Sequence, residues 1–250
     1  MSVHDIVARA WDSKRAELYE RVRPGYPQVA VAFLVERFEI DSSMELLDLA
    51  AGTGKLTRAL LTTGARVTAV EPLDGMRSVL ARELPNVNVM AGTAEEIPLP
   101  DGFVDVVAVG QAFHWFDPAK APVQIARVLK PGGGLVAIWN TRDNRVDWMA
   151  AIREMIDEAR GDVPRHSDDR WRHGIEASGL FEPLDLSLFE HSQELSRGEA
   201  VEVFASRSHI SALPDDQRAE ALARIDAVVP DDERITIPYT TEVYWTRRSS

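Results

Sequence analysis

Leu46-Leu-Asp-Leu-Ala-Ala-Gly-Thr-Gly54 is the stretch of this sequence that decides its fold. Its apolar residues predict a buried strand that ends in a glycine turn and leads into a helix. A second apolar stretch follows and ends on Glu71. Glycines let a backbone approach a ligand closely, and a carboxylate at a strand end can accept hydrogen bonds from both hydroxyls of a ribose. The pattern therefore predicts a site for a nucleoside cofactor.

The glycine turn lacks two features that recognise phosphate. A dinucleotide fingerprint has a third glycine that packs the helix on the strand, and Thr57 stands in its place. A phosphate-binding loop needs a hydroxyl residue after its lysine, but Leu56 follows Lys55. A cofactor without phosphate needs neither feature, so the turn favours S-adenosylmethionine.

Short apolar strands alternate with helices along much of the chain, which is typical of a parallel sheet with helices on both faces. The predicted strands are 45–50, 66–70, 87–90, 104–109, 134–139, 183–190 and 234–246. The predicted helices are 5–20, 28–38, 54–62, 74–83, 118–129, 148–160 and 171–178, with two more within 196–229. We expect a single α/β domain over residues 1–250. Its core would comprise about 41–190 and 233–248, and a small helical cap about 1–40 and 191–232.

Composition excludes several classes of function. The net charge of −12 makes the surface repel phosphate backbones, so no nucleic-acid partner is expected. The chain has no cysteine, which excludes disulfides, thiol catalysis and cysteine-ligated iron–sulfur clusters. The histidines show no metal-binding spacing, so no metal is expected. Without a signal-peptide pattern or a long apolar run, the sequence predicts a soluble cytoplasmic protein with no membrane partner.

Five motifs occur in a characteristic order, over Asp48–Gly54, Val70–Pro72, Gly92–Glu95, Asp105–Gln111 and Leu129–Gly133. Over about residues 45–140 the chain thereby resembles class I S-adenosylmethionine-dependent methyltransferases, especially those that act on small molecules. The resemblance implies a Rossmann-like, mostly parallel seven-stranded sheet. It also implies methyl transfer from S-adenosylmethionine, with S-adenosylhomocysteine as the product.

Three further stretches, Tyr19–Pro27, Ala112–Phe116 and Pro238–Tyr244, resemble the trans-aconitate methyltransferase-like group within the methyltransferase type 11 family. This narrower resemblance implies a small acid as acceptor, which would become a methyl ester. Two positions depart from the family pattern. Ala50 replaces the usual first glycine of the turn, and Thr93 replaces the usual acid near the adenine amine.

The resemblance implies a set of residues that contact the cofactor. They are Tyr19, Arg23, Asp48, Ala50, Gly52, Thr53, Gly54, Glu71, Pro72, Met76, Thr93, Ala94 and Gln111. Glu71 is expected to bind the ribose. Asp48 lies inside an apolar strand and needs hydrogen-bond donors, so it either braces the glycine loop or contacts the methionine moiety. Met76 is either a core residue or a neighbour of the adenine.

His114 is the candidate catalytic residue. It follows Gln111 closely at the predicted carboxyl edge of the sheet, where open α/β sheets bind ligands. Histidine titrates near neutral pH and could take a proton from a hydroxyl or orient a carboxylate. The alternative is that it is a packed histidine among aromatic residues. Trp115 is likewise either a core aromatic or a pocket wall beside the sulfonium charge.

The sequence does not identify the methyl acceptor. The candidate residues for binding a small-molecule acceptor are Trp115, Trp139, Asn140, Arg207, His209 and Tyr239. Arg207 either clamps a carboxylate or pairs with a surface acid. Two other functions remain open: a non-catalytic sensor or scaffold that binds S-adenosylmethionine, and a nucleotide-dependent oxidoreductase. We expect a monomer or a homodimer.

Overall fold

The computed structural model describes residues 13–160, 167–207, 210 and 213–249. The strands are β1 (Glu45–Leu49), β2 (Arg66–Val70), β3 (Asn88–Met90), β4 (Val104–Gly110), β5 (Leu129–Arg142), β6 (Asp185–Ser196) and β7 (Arg234–Arg247). The helices are α1 (Ser13–Val22), α2 (Gln28–Phe38), α3 (Lys55–Leu61), α4 (Asp74–Glu83), α5 (Ala121–Val128), α6 (Asp147–Arg160), α7 (Arg170–Ser178), α8 (Arg197–Ala205) and α9 (Asp215–Asp226). A 3₁₀ helix covers Phe113–Trp115.

The strands form one seven-stranded sheet in the order β3-β2-β1-β4-β5-β7-β6. The first five strands in this order pair in parallel. β7 runs antiparallel to β5, because the Arg248 N–H bonds to the Gly133 carbonyl whereas the Asp143 N–H bonds to the Pro238 carbonyl. The sheet is mostly parallel and helices flank it, which confirms the predicted fold class.

The chain divides into two compact units. The larger, here called the sheet unit, comprises Gly25–Asn140, Pro164–Phe189 and Thr241–Ser250, and the smaller, the helical unit, comprises Met1–Pro24, Thr141–Val163 and Glu190–Thr240. The division differs from the predicted core and cap in three places. Helix α2 belongs to the sheet unit, whereas α6 and the part of β7 up to Thr240 belong to the helical unit. The single-domain assignment remains a prediction.

The core of the sheet unit lies on both faces of the sheet. Leu46 and Leu47 are neighbours on β1 but belong to different apolar clusters, because successive side chains of a strand point to opposite faces. Helices α2 and α3 contribute to the cluster around Leu46, whereas α5 and α7 contribute to the cluster around Leu47. A strand covered on both faces carries apolar residues on both, which explains why Leu46, Leu47 and Leu49 do not alternate with exposed polar residues; Asp48 is the one buried acid of this strand.

The helical unit has its own apolar core. Residues from α1, α6, α8, α9 and β7 form it, among them Val22, Ile152, Phe204, Ile225 and Tyr239. In the part of the chain that the structure describes, no helix is both long and apolar enough to cross a bilayer.

The sequence predicts α2, β2 and α4 with the bounds that the structure has. The largest differences are in two strands. β6 ends at Ser196 rather than at residue 190, and β5 begins at Leu129 rather than at residue 134 and ends at Arg142 rather than at residue 139. A register shift between Val104 and Val106 allows Leu129 to pair with Val104 before Gly134 pairs with Val106. Pattern alone does not reveal such a bulge, because it depends on the partner strand. Part of the helix predicted over 5–20 lies outside the described residues.

Candidate functional site

The turn after β1 adopts a left-handed backbone at three positions. The φ angles are 57° at Ala50, 60° at Gly52 and 90° at Gly54. Glycine adopts such angles without steric cost. A Cβ atom added to Gly52 would have no atom within 4 Å, so the space beside this glycine is open to a ligand.

Two residues other than glycine are strained at the ends of neighbouring parallel strands. Ala50 follows β1, and Gln111, with a φ of 62°, follows β4. A left-handed backbone costs an ordinary residue about 1–2 kcal/mol. Such strain concentrates at ligand sites, where the surrounding structure imposes it. That the carboxyl ends of β1 and β4 border the cofactor remains a prediction.

The Glu71 side chain is fixed by two backbone donors. Its Oε2 accepts a hydrogen bond of 2.8 Å from the Gly52 N–H, and its Oε1 accepts one of 2.9 Å from the Leu73 N–H. The residue is only 3% exposed. Each carboxylate oxygen can accept two hydrogen bonds, so both oxygens keep acceptor capacity for a diol.

Burial dominates the electrostatics of Glu71. It raises the pKa of this carboxyl from an ordinary 4.5 to about 7, while the hydrogen bonds from Leu73 and Gly52 and the charge of Arg77 oppose the rise. The Arg77 guanidinium donates to the carbonyls of Glu71 and Pro72, at 2.9 and 3.1 Å, and also pairs with Asp74. Arg77 therefore holds the backbone at the end of β2 in place.

Asp48 lies at the centre of the sheet unit and is fully buried. Its Oδ2 accepts a hydrogen bond of 2.5 Å from the Thr57 hydroxyl. Its Oδ1 is also buried, and it has no hydrogen-bond partner among the described residues. Burial raises the pKa of Asp48 from an ordinary 3.8 to about 7, the bonds from Thr57 oppose this, and the charge of Glu71 adds to it.

The two carboxyl groups together define the chemistry of this site. Ionising both in a buried place is costly unless positive charge or further donors are supplied. The unpartnered Oδ1 of Asp48 marks one point where a donor is missing. A ligand that brings a cationic group and a ribose suits this arrangement, whereas an anionic pyrophosphate would be repelled by the two acids.

His114 and Trp115 lie in the 3₁₀ helix that follows β4, and both are half-buried. The His114 ring centroid is 5.1 Å from that of Trp115 and 6.4 Å from that of Trp139. His114, the candidate base, thus follows shortly after the strained Gln111 in the chain. The Gln111 N–H donates a hydrogen bond to the Ile138 carbonyl. Its role as a base remains a prediction.

Other predicted cofactor residues occupy varied environments within the sheet unit. Thr53 and Met76 are buried, with 1% and 5% exposure. Ala94 belongs to the core cluster around Leu47. Thr93 is half-buried and forms an isolated antiparallel β-bridge with Glu96. Pro72 is exposed. The cofactor role of these residues remains a prediction.

Trp139 and Asn140 have clear structural environments. Trp139 is 2% exposed and packs on Trp171 at 4.9 Å and on Tyr244 at 5.7 Å between ring centroids. Asn140 donates to the Gly25 carbonyl at 2.9 Å and accepts from the Thr241 hydroxyl at 2.7 Å. Ring packing thus accounts for the burial of Trp139, and two hydrogen bonds hold the side chain of Asn140. Their role in binding the acceptor remains a prediction.

The remaining predicted residues belong to the helical unit. Arg23 lies over the Tyr19 ring at 5.1 Å and donates to the hydroxyl and the carbonyl of Ser206 at 2.8 and 3.1 Å. Tyr239 is 3% exposed and stacks on His191. Arg207 is half-buried. His209 lies outside the described residues.

The structure reveals three residues that the sequence does not single out for these contacts. Thr57 bonds to Asp48, Arg77 fixes the end of β2, and Arg142 lies between two aromatic rings of the helical unit. The sequence did contain a signal for Thr57, because a threonine stands in place of the third glycine. Arg77 and Arg142 have no distinctive spacing that could have singled them out. No three His, Asp or Glu side chains among the described residues form a group that could hold a metal.

Known methyltransferases resemble this chain. A family model described as a methyltransferase domain matches residues 47–137. An uncharacterized methyltransferase of Mycobacterium tuberculosis is 37% identical over 229 residues, which is 89% of each chain. One of Schizosaccharomyces pombe is 35% identical over 212 residues, 84% of each chain.

A solved structure shares the fold. Geranyl diphosphate C-methyltransferase from Streptomyces coelicolor, crystallised with Mg²⁺, geranyl-S-thiolodiphosphate and S-adenosylhomocysteine, aligns with a TM-score of 0.51 and 16% identity. The alignment covers 88% of this chain and 75% of that one. Together with the relatives and the geometry around Asp48 and Glu71, these similarities show that the chain belongs to the class I S-adenosylmethionine-dependent methyltransferases.

Proposed function

We propose that this methyltransferase transfers the methyl group of S-adenosylmethionine to an oxygen of a small molecule, a carboxylate or a hydroxyl. The observation that carries the proposal is the fixed pair of buried acids, Asp48 and Glu71. It supports a cofactor that contains a ribose and two cationic groups and lacks phosphate. The acidic chain supports a small acceptor rather than a nucleic acid.

The residues of the sheet unit fit S-adenosylmethionine. Glu71 would accept hydrogen bonds from the ribose hydroxyls through the capacity left on its two oxygens. Asp48 would accept one from the methionine ammonium through Oδ1, which has no partner in the described structure. Gly52, with open space beside it, would let the cofactor approach the backbone. Met76 would contact the adenine.

The protein's part in the reaction is mainly alignment and exclusion of water. When bound, the cofactor would supply an electrophilic methyl carbon, whose bond to the sulfonium sulfur would be exchanged for a bond to the acceptor oxygen. Holding the acceptor oxygen in line with that bond replaces a bimolecular encounter, which can contribute about 7–11 kcal/mol to catalysis. The side chains at the ends of β1, β2 and β4 would hold the cofactor, which is one of the two reactants.

The need for a base depends on the acceptor. A carboxylate is already ionised at neutral pH and needs none. An alcohol or phenol must lose a proton, and Nδ1 or Nε2 of His114 would accept it. His114 therefore acts as a base toward a hydroxyl and as an orienting group toward a carboxylate.

The decisive experiment is a product screen with S-adenosylmethionine that carries a labelled methyl group. Small acids, alcohols and phenols are offered singly, and label transferred to each is measured by mass spectrometry. Mild alkali then distinguishes the two products, because a methyl ester releases methanol and a methyl ether does not. We expect label in the small-molecule fraction. Label found only in added nucleic acid or protein would contradict the proposal.

The non-catalytic alternative makes a different prediction. A sensor or scaffold would bind S-adenosylmethionine but would transfer no methyl group. Neither the small acids, alcohols and phenols of the screen nor a cell extract would then become labelled. The oxidoreductase alternative requires binding of NAD. Thermal-shift measurements with NAD and with S-adenosylhomocysteine test it, and we expect stabilisation by S-adenosylhomocysteine alone, because the two buried acids repel a pyrophosphate.

A further inference from the structure

The hydroxyl of Tyr26 lies against the backbone of Gly110, the last residue of β4. A Cβ atom added to Gly110 would come within 2.6 Å of the hydroxyl oxygen. Non-bonded heavy atoms in contact lie about 3.5–4.0 Å apart, so a side chain at position 110 would displace the hydroxyl. A glycine in a strand often marks the close approach of another group, and here that group is the phenol of Tyr26.

The local sequence holds Tyr26 in this place. Pro27 disfavours a helical backbone at the residue before it, and α2 begins only after this proline. The Asn140 side chain donates to the Gly25 carbonyl at 2.9 Å, which ties the segment to the end of β5. The half-buried Tyr26 ring packs against the apolar cluster around Leu46. The hydroxyl is therefore carried by a fixed segment of the sheet unit.

Gly110 lies where the strand order of the sheet reverses. Strands β2 and β3 follow on one side of β1, and β4 and β5 follow on the other. Open α/β sheets bind ligands in the crevice outside the carboxyl ends of the strands at such a switch point. Leu56, in the first turn of α3, has its Cδ2 atom 3.2 Å from the added Cβ of Gly110. The Tyr26 hydroxyl thus borders this crevice, between the end of β4 and the start of α3.

Tyr26 and Asp48 belong to the same face of the sheet. Asp48 pairs with Ala108 across β1 and β4, and Ala108 belongs to the cluster against which Tyr26 packs. Side chains alternate along a strand, so position 110 faces the same way as Ala108 and lies about 6.6 Å further toward the carboxyl end. The Tyr26 hydroxyl is therefore displaced from Asp48 toward the ligand-binding edge.

The strand order indicates which part of the cofactor reaches Tyr26. Glu71, the proposed ribose acid, follows β2, whereas Gly110 ends β4, and β1 lies between these strands. Two strand spacings amount to about 10 Å. S-adenosylmethionine joins its ribose through sulfur to an amino-acid chain, so a cofactor with its ribose at Glu71 has its amino-acid end toward β4. Asp48 suits the ammonium of that end, and the carboxylate needs a donor.

We propose that the Tyr26 hydroxyl donates a hydrogen bond to the carboxylate of the methionine moiety of S-adenosylmethionine. The inference deepens the proposed function and rests on it for the placement of the ammonium at Asp48. A phenol hydroxyl both accepts and donates, and it supplies a donor without adding charge to a site that already holds two acids. Tyr26 takes no part in bond exchange. It holds the end of the cofactor that sets the direction of the sulfur–methyl bond.

The first experiment compares S-adenosylhomocysteine with methylthioadenosine, which lacks the amino-acid end, by calorimetry. Tyr26→Phe removes only the hydroxyl. We expect it to weaken S-adenosylhomocysteine by about 10- to 100-fold and to leave methylthioadenosine unchanged. Unchanged affinity for S-adenosylhomocysteine would overturn the inference. An equal loss for both ligands would also overturn it, because the hydroxyl would then act on the nucleoside or on the fold.

The second experiment separates the carboxylate from the ammonium. S-adenosylmethionine and its decarboxylated analogue both carry a sulfonium and an ammonium, but only the former has a carboxylate. Tyr26→Phe should weaken S-adenosylmethionine by about the factor seen with S-adenosylhomocysteine and leave the decarboxylated analogue unchanged. An equal loss for the analogue would assign Tyr26 to the ammonium and reject the inference.

Gly110→Ala tests the placement of the hydroxyl independently. The added methyl group would displace the hydroxyl, so this variant should weaken S-adenosylhomocysteine about as much as Tyr26→Phe. The double variant should bind no more weakly than either single variant, because both changes remove the same contact. Additive losses would show that the two positions act separately and would reject the inference.

Tyr244→Phe is the matched control within the sheet unit. It removes a hydroxyl that accepts a hydrogen bond from Arg172 and donates one to Glu242, and it should change neither affinity. Melting temperatures of all variants establish that each is folded at the temperature of the titrations. A purely structural Tyr26 would lower the melting temperature without separating S-adenosylhomocysteine from methylthioadenosine.

The outcomes separate this inference from the proposed function. Binding of S-adenosylhomocysteine that depends on the Tyr26 hydroxyl, without methyl transfer to any acceptor, would leave the inference standing and reject the catalytic proposal. Methyl transfer to a small molecule, with equal affinity for S-adenosylhomocysteine in the wild type and Tyr26→Phe, would reject the inference alone.

Discussion

The hydroxyl of Thr57 donates a hydrogen bond to Oδ2 of Asp48, with the two oxygens 2.5 Å apart, and both residues are fully buried. Thr57 occupies the position where a dinucleotide-binding turn has its third glycine. The structure gives that replacement a physical reason, because a glycine could not supply the donor that the buried carboxyl needs. Thr57, which argues against a dinucleotide-binding turn, is thus also the residue that hydrogen-bonds to Asp48, a predicted cofactor-binding acid.

Replacement of Thr57 by valine should lower both stability and cofactor affinity. The change keeps the branched shape but removes the hydroxyl donor from Oδ2 of Asp48, which should cost about 1–3 kcal/mol of the free energy of unfolding. Urea unfolding and calorimetry with S-adenosylhomocysteine measure the two effects. The control is Thr62→Val, which removes an exposed hydroxyl bonded to the Ala59 carbonyl and should change stability by less than about 0.5 kcal/mol. Equal results for the two variants would contradict the assigned role of Thr57.

Removal of the Glu71 carboxylate should weaken the binding of S-adenosylhomocysteine. A charged acceptor of two hydrogen bonds contributes about 1.5–3 kcal/mol, so Glu71→Ala should reduce the affinity by about tenfold or more. Exposed Glu83, at the end of α4, provides the matched control, and Glu83→Ala should bind as the wild type does. The assignment of Glu71 to the ribose would fail if a folded Glu71→Ala protein bound with unchanged affinity by calorimetry.

Asp48 should make stability and cofactor binding respond to pH in opposite directions. Its pKa in the folded protein is about 7 and its ordinary value is 3.8, so the unfolded chain loses the proton first as the pH rises. The contribution of Asp48 to stability is therefore present below about pH 4 and is lost as the pH rises to about 7. The ionised carboxylate, in contrast, binds an ammonium group better, so the affinity for S-adenosylhomocysteine should rise over the same range.

Asp48→Asn isolates this effect from the titration of other acids. The difference in melting temperature, variant minus wild type without ligand, should increase between about pH 4 and pH 7, because the asparagine never ionises. The variant should also lose the rise in cofactor affinity. Asp232→Asn, at an exposed acid, is the control and should parallel the wild type. A temperature difference that stays constant over this range would show that Asp48 does not titrate there.

His114→Ala should separate a base from a packing residue once an acceptor is identified. Loss of a general base typically lowers turnover by about 10²–10⁴-fold, and the affinity for S-adenosylhomocysteine should be nearly unchanged. If the acceptor is a carboxylate, we expect instead a higher KM with a modest loss of kcat. His173→Ala changes an exposed histidine of α7 and serves as the control. Wild-type constants for a folded His114→Ala enzyme would remove His114 from the site.

The sequence by itself determined the elements whose signals are local. The strand, glycine turn and helix over 46–61 and the acid at the end of β2 could be predicted because apolar periodicity, glycine and strand-terminal polarity act over a few residues. The order of such elements also indicated a mostly parallel sheet. The ends of β5 were predicted poorly, since the register shift opposite Val104 depends on two strands far apart in sequence.

Only the tertiary structure decided which side chains meet and which are buried. The sequence gives Trp139 as a pocket candidate, but Trp171 and Tyr244 enclose it, and neither is near it in the chain. Arg142 has no distinctive motif, and its position over the rings of Phe204 and Tyr239 follows only from packing. Burial and hydrogen-bond satisfaction depend on contacts between distant segments, and those contacts exist only after the elements have packed.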